Sequence, residues 1–295
     1  MTREPIGLIA CAGRLPIAIA RKAREVGIPV VCVGIAGMAD PELSAVCHRF
    51  HWLRRLSLGF IIRAFRRGGV RRWSMAGKFH KHILFRPWRW LQLLPDWRLV
   101  RFWLTRRRTD TRDDALLLGL IDEFRAEGME CVSPTDLCPE LLVREGVLTR
   151  RRPTAAEERD MNFGWAIAKE MGRLDVGQSV MVKEGAVLAV EAIEGTDQAI
   201  LRAGELCGRN GFVVVKVAKP RQDMRFDVPT VGTATVETMH QAGATALAIE
   251  AGKTILLDEA ETVGLADRYG ITIVSRPDAG AADPVPTANP PSGSL

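Results

Sequence analysis

Two aspartates four residues apart, Asp223 and Asp227, lie in a stretch crowded with cations and amides. Lys216 to Gly232 reads KVAKPRQDMRFDVPTVG, so Lys216, Lys219, Gln222 and Arg225 stand close by in sequence. Carboxylates hold a hard cation such as Mg²⁺, and lysine and arginine hold phosphate oxygens. The mixture therefore suits an anionic, metal-bridged substrate. A solvated charged loop has the same composition, and spacing alone leaves both readings open. A second acidic group, Glu191, Glu194 and Asp197, surrounds Thr196 in the run EAIEGTD. Thr196 is placed to cap a helix over Gln198 to Cys207, with Asp197 in its first turn, and helix starts attract phosphate. An ordinary cap needs no ligand. Two turns complete the candidates. Ala12-Gly13 follows a strand-like run without forming a full G-x-G-x-x-G, and Gly77-Lys78 follows another. Turn amides of this kind can approach a phosphate or a base, or can simply be surface turns.

Other chemistries lack their residues. The five histidines (48, 51, 80, 82 and 240) never pair at H-E-x-x-H spacing, and no serine sits in a G-x-S-x-G elbow. The six cysteines form no C-x-x-C pair, which argues against a zinc site and for a reduced, cytosolic compartment.

The elements that must hold these residues read as α/β. The spacing predicts a strand over Ile6 to Ala10, a helix over Leu15 to Glu25 with Pro16 in its first turn, and a strand over Val30 to Val33. A basic helix over Leu56 to Arg67, a strand over Arg72 to Ala76, a helix over Asp110 to Glu127 and a strand over Met129 to Val132 follow. Thr154 and Glu157 form a capping box for a helix running to about Gly172. Strands over Gln178 to Val182 and Val187 to Ala192 meet at Glu184-Gly185 as a hairpin. The apolar run Gly211 to Val215 is a buried strand delivering the Lys216 to Gly232 loop. Beyond it come a helix over Thr235 to Ala242, strands over Ala246 to Glu250 and Ile255 to Leu257, a helix over Glu259 to Tyr269 and a strand over Ile271 to Val274. The fold class is an N-terminal Rossmann-like parallel-sheet domain (1–144), a linker (145–153) and a second mixed α/β domain (154–275). A disordered tail over 276–295 is expected from its Pro, Ala, Gly and Ser content.

The net charge of +6 conceals an asymmetry. Residues 51–112 hold 17 Lys and Arg against 2 Asp, a net of +15, which leaves −9 elsewhere; six of the seven tryptophans also fall there. Between 79 and 108 aromatic and aliphatic residues alternate with arginines. Such a segment suits a membrane interface with anionic headgroups, and it equally suits a core helix with its arginines outward. No nucleic-acid motif accompanies it, so no nucleic-acid partner is expected. No apolar run reaches ~18 residues, so no spanning helix is expected, and the first residues lack the pattern of a signal peptide.

The runs GLIACAGRLPIAIA, DVGQSVMVKEGAVLAVEAIEGTDQAI, VVKVAKPRQDMRFDVPTVG and ALAIEAGKTILLD resemble the UDP-2,3-diacylglucosamine pyrophosphatase family of the LpxI type, and the resemblance extends to about Val274. It implies hydrolysis of the substrate's diphosphate to UMP and 2,3-diacylglucosamine 1-phosphate in lipid A biosynthesis. It further implies a divalent ion, usually Mg²⁺, attack of water at the β-phosphorus, and two domains that enclose the substrate. Carried onto this chain, the catalytic residue is Asp227 or Asp223, with Asp227 favoured. Lys216, Lys219, Gln222 and Arg225 would hold phosphates, and Thr196 would join them. Asp223, Asp227, Glu191, Glu194 and Asp197 would serve the metal, and Ala12, Gly13, Gly77 and Lys78 the uridine nucleotide. Two positions depart from the family pattern, Cys11 at the first turn and Thr233 after Gly232; neither replaces a charged residue. The implied location is the cytoplasmic surface of the inner membrane, with a homodimer left open. A non-catalytic nucleotide- or lipid-binding protein of the same fold is the alternative.

Overall fold

Runs of β-branched residues form the strands here, and glycines and prolines break them. In the computed structural model the described residues are 3–55, 57–77, 97, 113–220, 222–225 and 228–278. The chain divides into two compact units. The first holds the residues up to Leu141 together with the short stretch that begins at Asp223, and the second holds the rest.

The first unit alternates strand and helix: β1 (Ile6–Ala10), α1 (Leu15–Glu25), β2 (Val30–Ile35), α2 (Leu43–Val46), β3 (Arg49–Leu53), α3 (Leu58–Arg67), β4 (Arg72–Ala76), α4 (Asp113–Ala126), β5 (Glu130–Cys131) and α5 (Pro134–Leu137). The strands are all parallel, in the order β3-β2-β1-β4-β5. β1 is buried along its whole length, as a strand covered on both faces must be. On one face Ile61 and Phe65 of α3 pack with Trp73 and Phe124, the last two with ring centroids 4.2 Å apart. On the other, Ile17 and Ile19 of α1 pack with Leu8 and Leu43. Ser57 caps α3 by accepting from the Phe60 amide, and Arg63, Arg66 and Arg67 stay exposed.

The second unit contains β6 (Gly146–Val147), α6 (Ala155–Arg173), β7 (Ser179–Lys183), β8 (Ala186–Val190), α7 (Thr196–Leu206), β9 (Val213–Lys216), β10 (Thr230–Val231), α8 (Thr233–Ala242), β11 (Ala246–Glu250), β12 (Ile255–Leu256), α9 (Glu259–Tyr269) and β13 (Thr272–Arg276). Its main sheet runs β6-β13-β11-β9-β7-β8. The inner strands β9, β11 and β13 are parallel, and the outer ones pair antiparallel. Met161 and Ala168 of α6 cover one face with Val213, Val215, Ala246 and Ala248. α7, α8 and α9 cover the other through Ile200, Val236, Met239 and Leu265. The Thr154–Glu157 capping box forms as the spacing requires.

Three differences from the sequence reading are physical. β3 was not anticipated, because RFHWL mixes charge with aromatics; its backbone pairing to β2 along an edge makes it a strand. The linker expected over 145–153 instead includes β6, which pairs with β13, and Arg151, which reaches Glu157 and Thr272. At the chain's far end Arg276 closes β13 and Asp278 bonds to Lys169, so the expected tail is ordered at its start; residues 279–295 lie outside the described residues. So does nearly all of the Trp/Arg segment 79–108, within which Trp97 is described and is 77% exposed.

Candidate active site

Lys216 is the last residue of β9 and is buried, so it belongs to the sheet rather than to the loop assigned from sequence. Strand alternation puts it with Val214 on the α7 face. Its ammonium donates to Thr196 Oγ1 (3.2 Å) and to the Thr230 carbonyl (3.1 Å). Thr196 in turn donates to Glu191 Oε1 at 2.9 Å, and the Ser179 hydroxyl lies 3.4 Å from it. The result is a directed chain from ammonium through hydroxyl to carboxylate, set at the carboxyl end of a parallel strand where α/β folds gather their chemistry. Glu191 Oε2 is buried and has no hydrogen-bond partner. A buried carboxylate oxygen without a donor has the chemistry of a ligand for a hard cation.

The cap of α7 is Gly195, at φ +85°, and not Thr196 as the spacing suggested. Thr196 is the first helical residue, and its hydroxyl points to Glu191 instead of back to the helix amides. The amide end of α7 thus lacks a side-chain cap. Glu194 is tied to Arg202 at 2.8 Å, and Asp197 is half-buried. Among the described residues no three His, Cys, Asp or Glu side chains converge as a metal-binding group. Glu194 is engaged by Arg202 and Glu191 Oε1 by Thr196.

Lys219 and Gln222 close a turn on one another. The Lys219 amide donates to Gln222 Oε1 at 2.7 Å, and the Gln222 amide donates to the Lys219 carbonyl at 3.0 Å. Lys219 Nζ reaches Asp175 at 2.6 Å, and Gln222 Nε2 reaches Gln178 at 3.3 Å. Both side chains expected on phosphates thus have protein partners here.

Asp223 to Arg225 group with the first unit. The Ser133 hydroxyl donates to the Met224 carbonyl at 2.6 Å. Asp223 accepts from Arg225 Nε at 2.9 and 3.1 Å and from its backbone amide at 3.0 Å. These bonds hold the Asp223 carboxyl below the usual carboxylate range. Asp227 lies outside the described residues, as does Lys78.

The two turns of the first unit follow β1 and β4, where the strand order reverses. That reversal is the place where doubly wound sheets leave a crevice for nucleotides. The Cys11 amide donates to the Ala76 carbonyl at 2.9 Å, which ties one turn to the other. Gly77 sits at φ +95°, and a Cβ there would stand 2.5 Å from the Ala12 carbonyl oxygen, so only glycine fits. Gly13, at φ +102°, has open space around it. Cys11 is buried beside these turns, and burial pushes its thiol up to about 11, which leaves it protonated and inert.

Sequence reasoning missed Ser133, Ser179 and Thr230. Each supplies a hydroxyl or a backbone acceptor whose role appears only once segments distant in sequence are neighbours.

A Rossmann-ordered parallel unit followed by a three-layer unit, with a hydrogen-bonded Lys–Thr–Glu chain at a strand end, defines a two-unit α/β protein. The chain belongs to the LpxI family: the family model of the LpxI N-terminal domain matches residues 5–141, and that of the LpxI C-terminal domain matches residues 144–274. The UDP-2,3-diacylglucosamine pyrophosphatase LpxI of Caulobacter vibrioides is 32% identical over 279 residues, spanning 91% of this chain and 96% of that protein.

Proposed function

We propose that this chain hydrolyses the diphosphate of UDP-2,3-diacylglucosamine in lipid A biosynthesis, giving UMP and 2,3-diacylglucosamine 1-phosphate. The observation that supports it most is likeness to a pyrophosphatase of that name over both units, joined to the Lys216–Thr196–Glu191 chain at the end of β9. The substrate carries negative charge on two phosphates. Lys216 is a buried cation, and Arg225 is a fork-shaped one, suited to phosphate oxygens once a substrate competes with Asp223. The Ala12-Gly13 and Gly77-Lys78 turns take the uridine nucleotide.

Glu191, through its unpartnered Oε2, would help to hold a divalent ion, Mg²⁺ in the first instance. When bound, that ion neutralises the diphosphate charge. Asp227 orients and deprotonates the attacking water. Asp223 is the weaker candidate for that base, because Arg225 depresses its pKa and a depressed carboxylate is a poorer proton acceptor. Water adds its oxygen to the β-phosphorus, the β-phosphorus–oxygen bond to UMP breaks, and UMP departs with the electron pair. The enzyme works at the cytoplasmic face of the inner membrane, where the basic, Trp-rich 51–112 segment meets anionic lipid. No helix of the described residues is long and apolar enough to cross a membrane.

The test is UMP release from UDP-2,3-diacylglucosamine with and without Mg²⁺ and with Asp227→Ala. The expected result is metal-dependent turnover in the wild type, with none in the variant while substrate still binds. Binding without turnover in the wild type would leave a nucleotide- or lipid-binding protein instead.

A further inference from the structure

Ala218 is where the chain leaves β9 for the loop that contains Asp223, Arg225 and Asp227, and both polar groups of its backbone are held by one ion pair. Its amide donates to Glu250 Oε2 at 2.8 Å. Its carbonyl accepts from Lys169 Nζ at 3.4 Å. Lys169 Nζ is itself 2.7 Å from the same Glu250 oxygen. Glu250 ends β11, the strand beside β9, and is fully buried. Its other oxygen lies 2.7 Å from Lys253 Nζ. Asp278 is 2.8 Å from Lys169 and 3.5 Å from Lys253, so two anions and two cations close on themselves.

A buried carboxylate is expensive, and a well-packed apolar residue is usually at least as stabilising in its place. Core packing alone does not account for Glu250. What the ion pair adds is direction, since a carboxylate and an ammonium together fix a peptide unit at both ends. The arrangement lies on the α6 face of the sheet, opposite Lys216, so it is separate from the Lys216–Thr196–Glu191 chain. α6 presses on the same exit. A Cβ on Gly172 would stand 3.2 Å from Lys219 Cα and from the Pro220 ring. The loop then closes its first turn through Lys219 and Gln222.

We propose that the Glu250–Lys169 pair is a positioning device that sets the take-off of the hydrolytic loop. This rests on the reading that the loop supplies the hydrolytic aspartate. Neither residue touches the substrate; they act through the Ala218 peptide.

The test uses the full chain with Glu250→Gln and, separately, Lys169→Met, with Lys169→Arg as the variant that keeps charge and donor. Two readouts are taken: backbone hydrogen exchange over residues 217–225, and kcat and KM for UMP release. Exchange in that segment is expected to rise by about fivefold or more in Glu250→Gln and Lys169→Met, with the rest of the second unit unchanged and Lys169→Arg close to wild type. In the same two variants kcat is expected to fall by about 10- to 100-fold with KM little altered, as for a misplaced catalytic group. Unchanged exchange at 217–225, or faster exchange spread over the whole second unit, would overturn the proposal. So would local loosening with wild-type kcat. If the wild type does not hydrolyse the substrate, the functional reading fails, while the exchange data still decide whether the clamp exists.

Discussion

At the residue scale two charges are each held by close partners. Lys216 is an ammonium buried at a strand end and satisfied by Thr196 and the Thr230 carbonyl. A desolvated cation of this kind stabilises phosphate charge more strongly than a surface lysine. Lys216→Ala should therefore lower kcat/KM for UMP release by about 10²-fold, the scale seen when one preorganised charge stabiliser is removed. Lys216→Arg should not restore it, because the planar fork does not fit the ammonium's position between Thr196 and Thr230. Asp223 carries the other charge. Arg225 lowers its pKa, so the pair's contribution is present at and above neutral pH. It is lost only as the pH falls through a value below the ordinary 3.8. A carboxyl-carbon NMR titration should give Asp223 a midpoint under 3.8 in the wild type and an ordinary one in Arg225→Ala. An ordinary midpoint in the wild type would mean the pair does not form in solution.

At the scale of elements, close approach places the turns. Gly77→Ala forces a Cβ to 2.5 Å from the Ala12 carbonyl at a left-handed φ, so it should destabilise the first unit by about 1–3 kcal/mol and loosen the Ala12-Gly13 turn. Thermal unfolding together with uridine nucleotide affinity would register both effects. Most elements were legible because their signals are local. β1, α1, β4, β11 and α9 fall on the residues that periodicity and glycine punctuation select. The capping box at Thr154 is likewise a four-residue pattern. What was not legible depended on partners distant in sequence. β3 needs β2 beside it, β6 needs β13, and Thr196 turns from cap to hydrogen-bond relay because β9 delivers Lys216 next to it. The candidate site was legible to the same degree. Residue types and spacing marked Glu191, Thr196, Lys216 and Asp223 as chemistry-bearing. The pairings Asp223–Arg225, Lys219–Asp175 and Glu194–Arg202 follow only from the folded chain. Family resemblance supplied the reaction, which no spacing could.

For the whole molecule, the +15 of residues 51–112 against −9 elsewhere concentrates positive charge in one stretch of the sequence. A partner with a dense anionic face should bind through it, and binding should weaken as salt rises. Replacing Trp88, Arg89 and Trp90 together should reduce affinity for vesicles containing anionic phospholipid, with the melting temperature little changed. A large fall in melting temperature with unaltered vesicle affinity would place those tryptophans in a core instead. The central claim is that this chain hydrolyses the diphosphate with water delivered to the β-phosphorus. Phosphorus NMR of products formed in ¹⁸O-labelled water with Mg²⁺ tests it most directly. The isotope shift should appear in 2,3-diacylglucosamine 1-phosphate and be absent from UMP. Label in UMP would put the attack on the α-phosphorus and contradict the account.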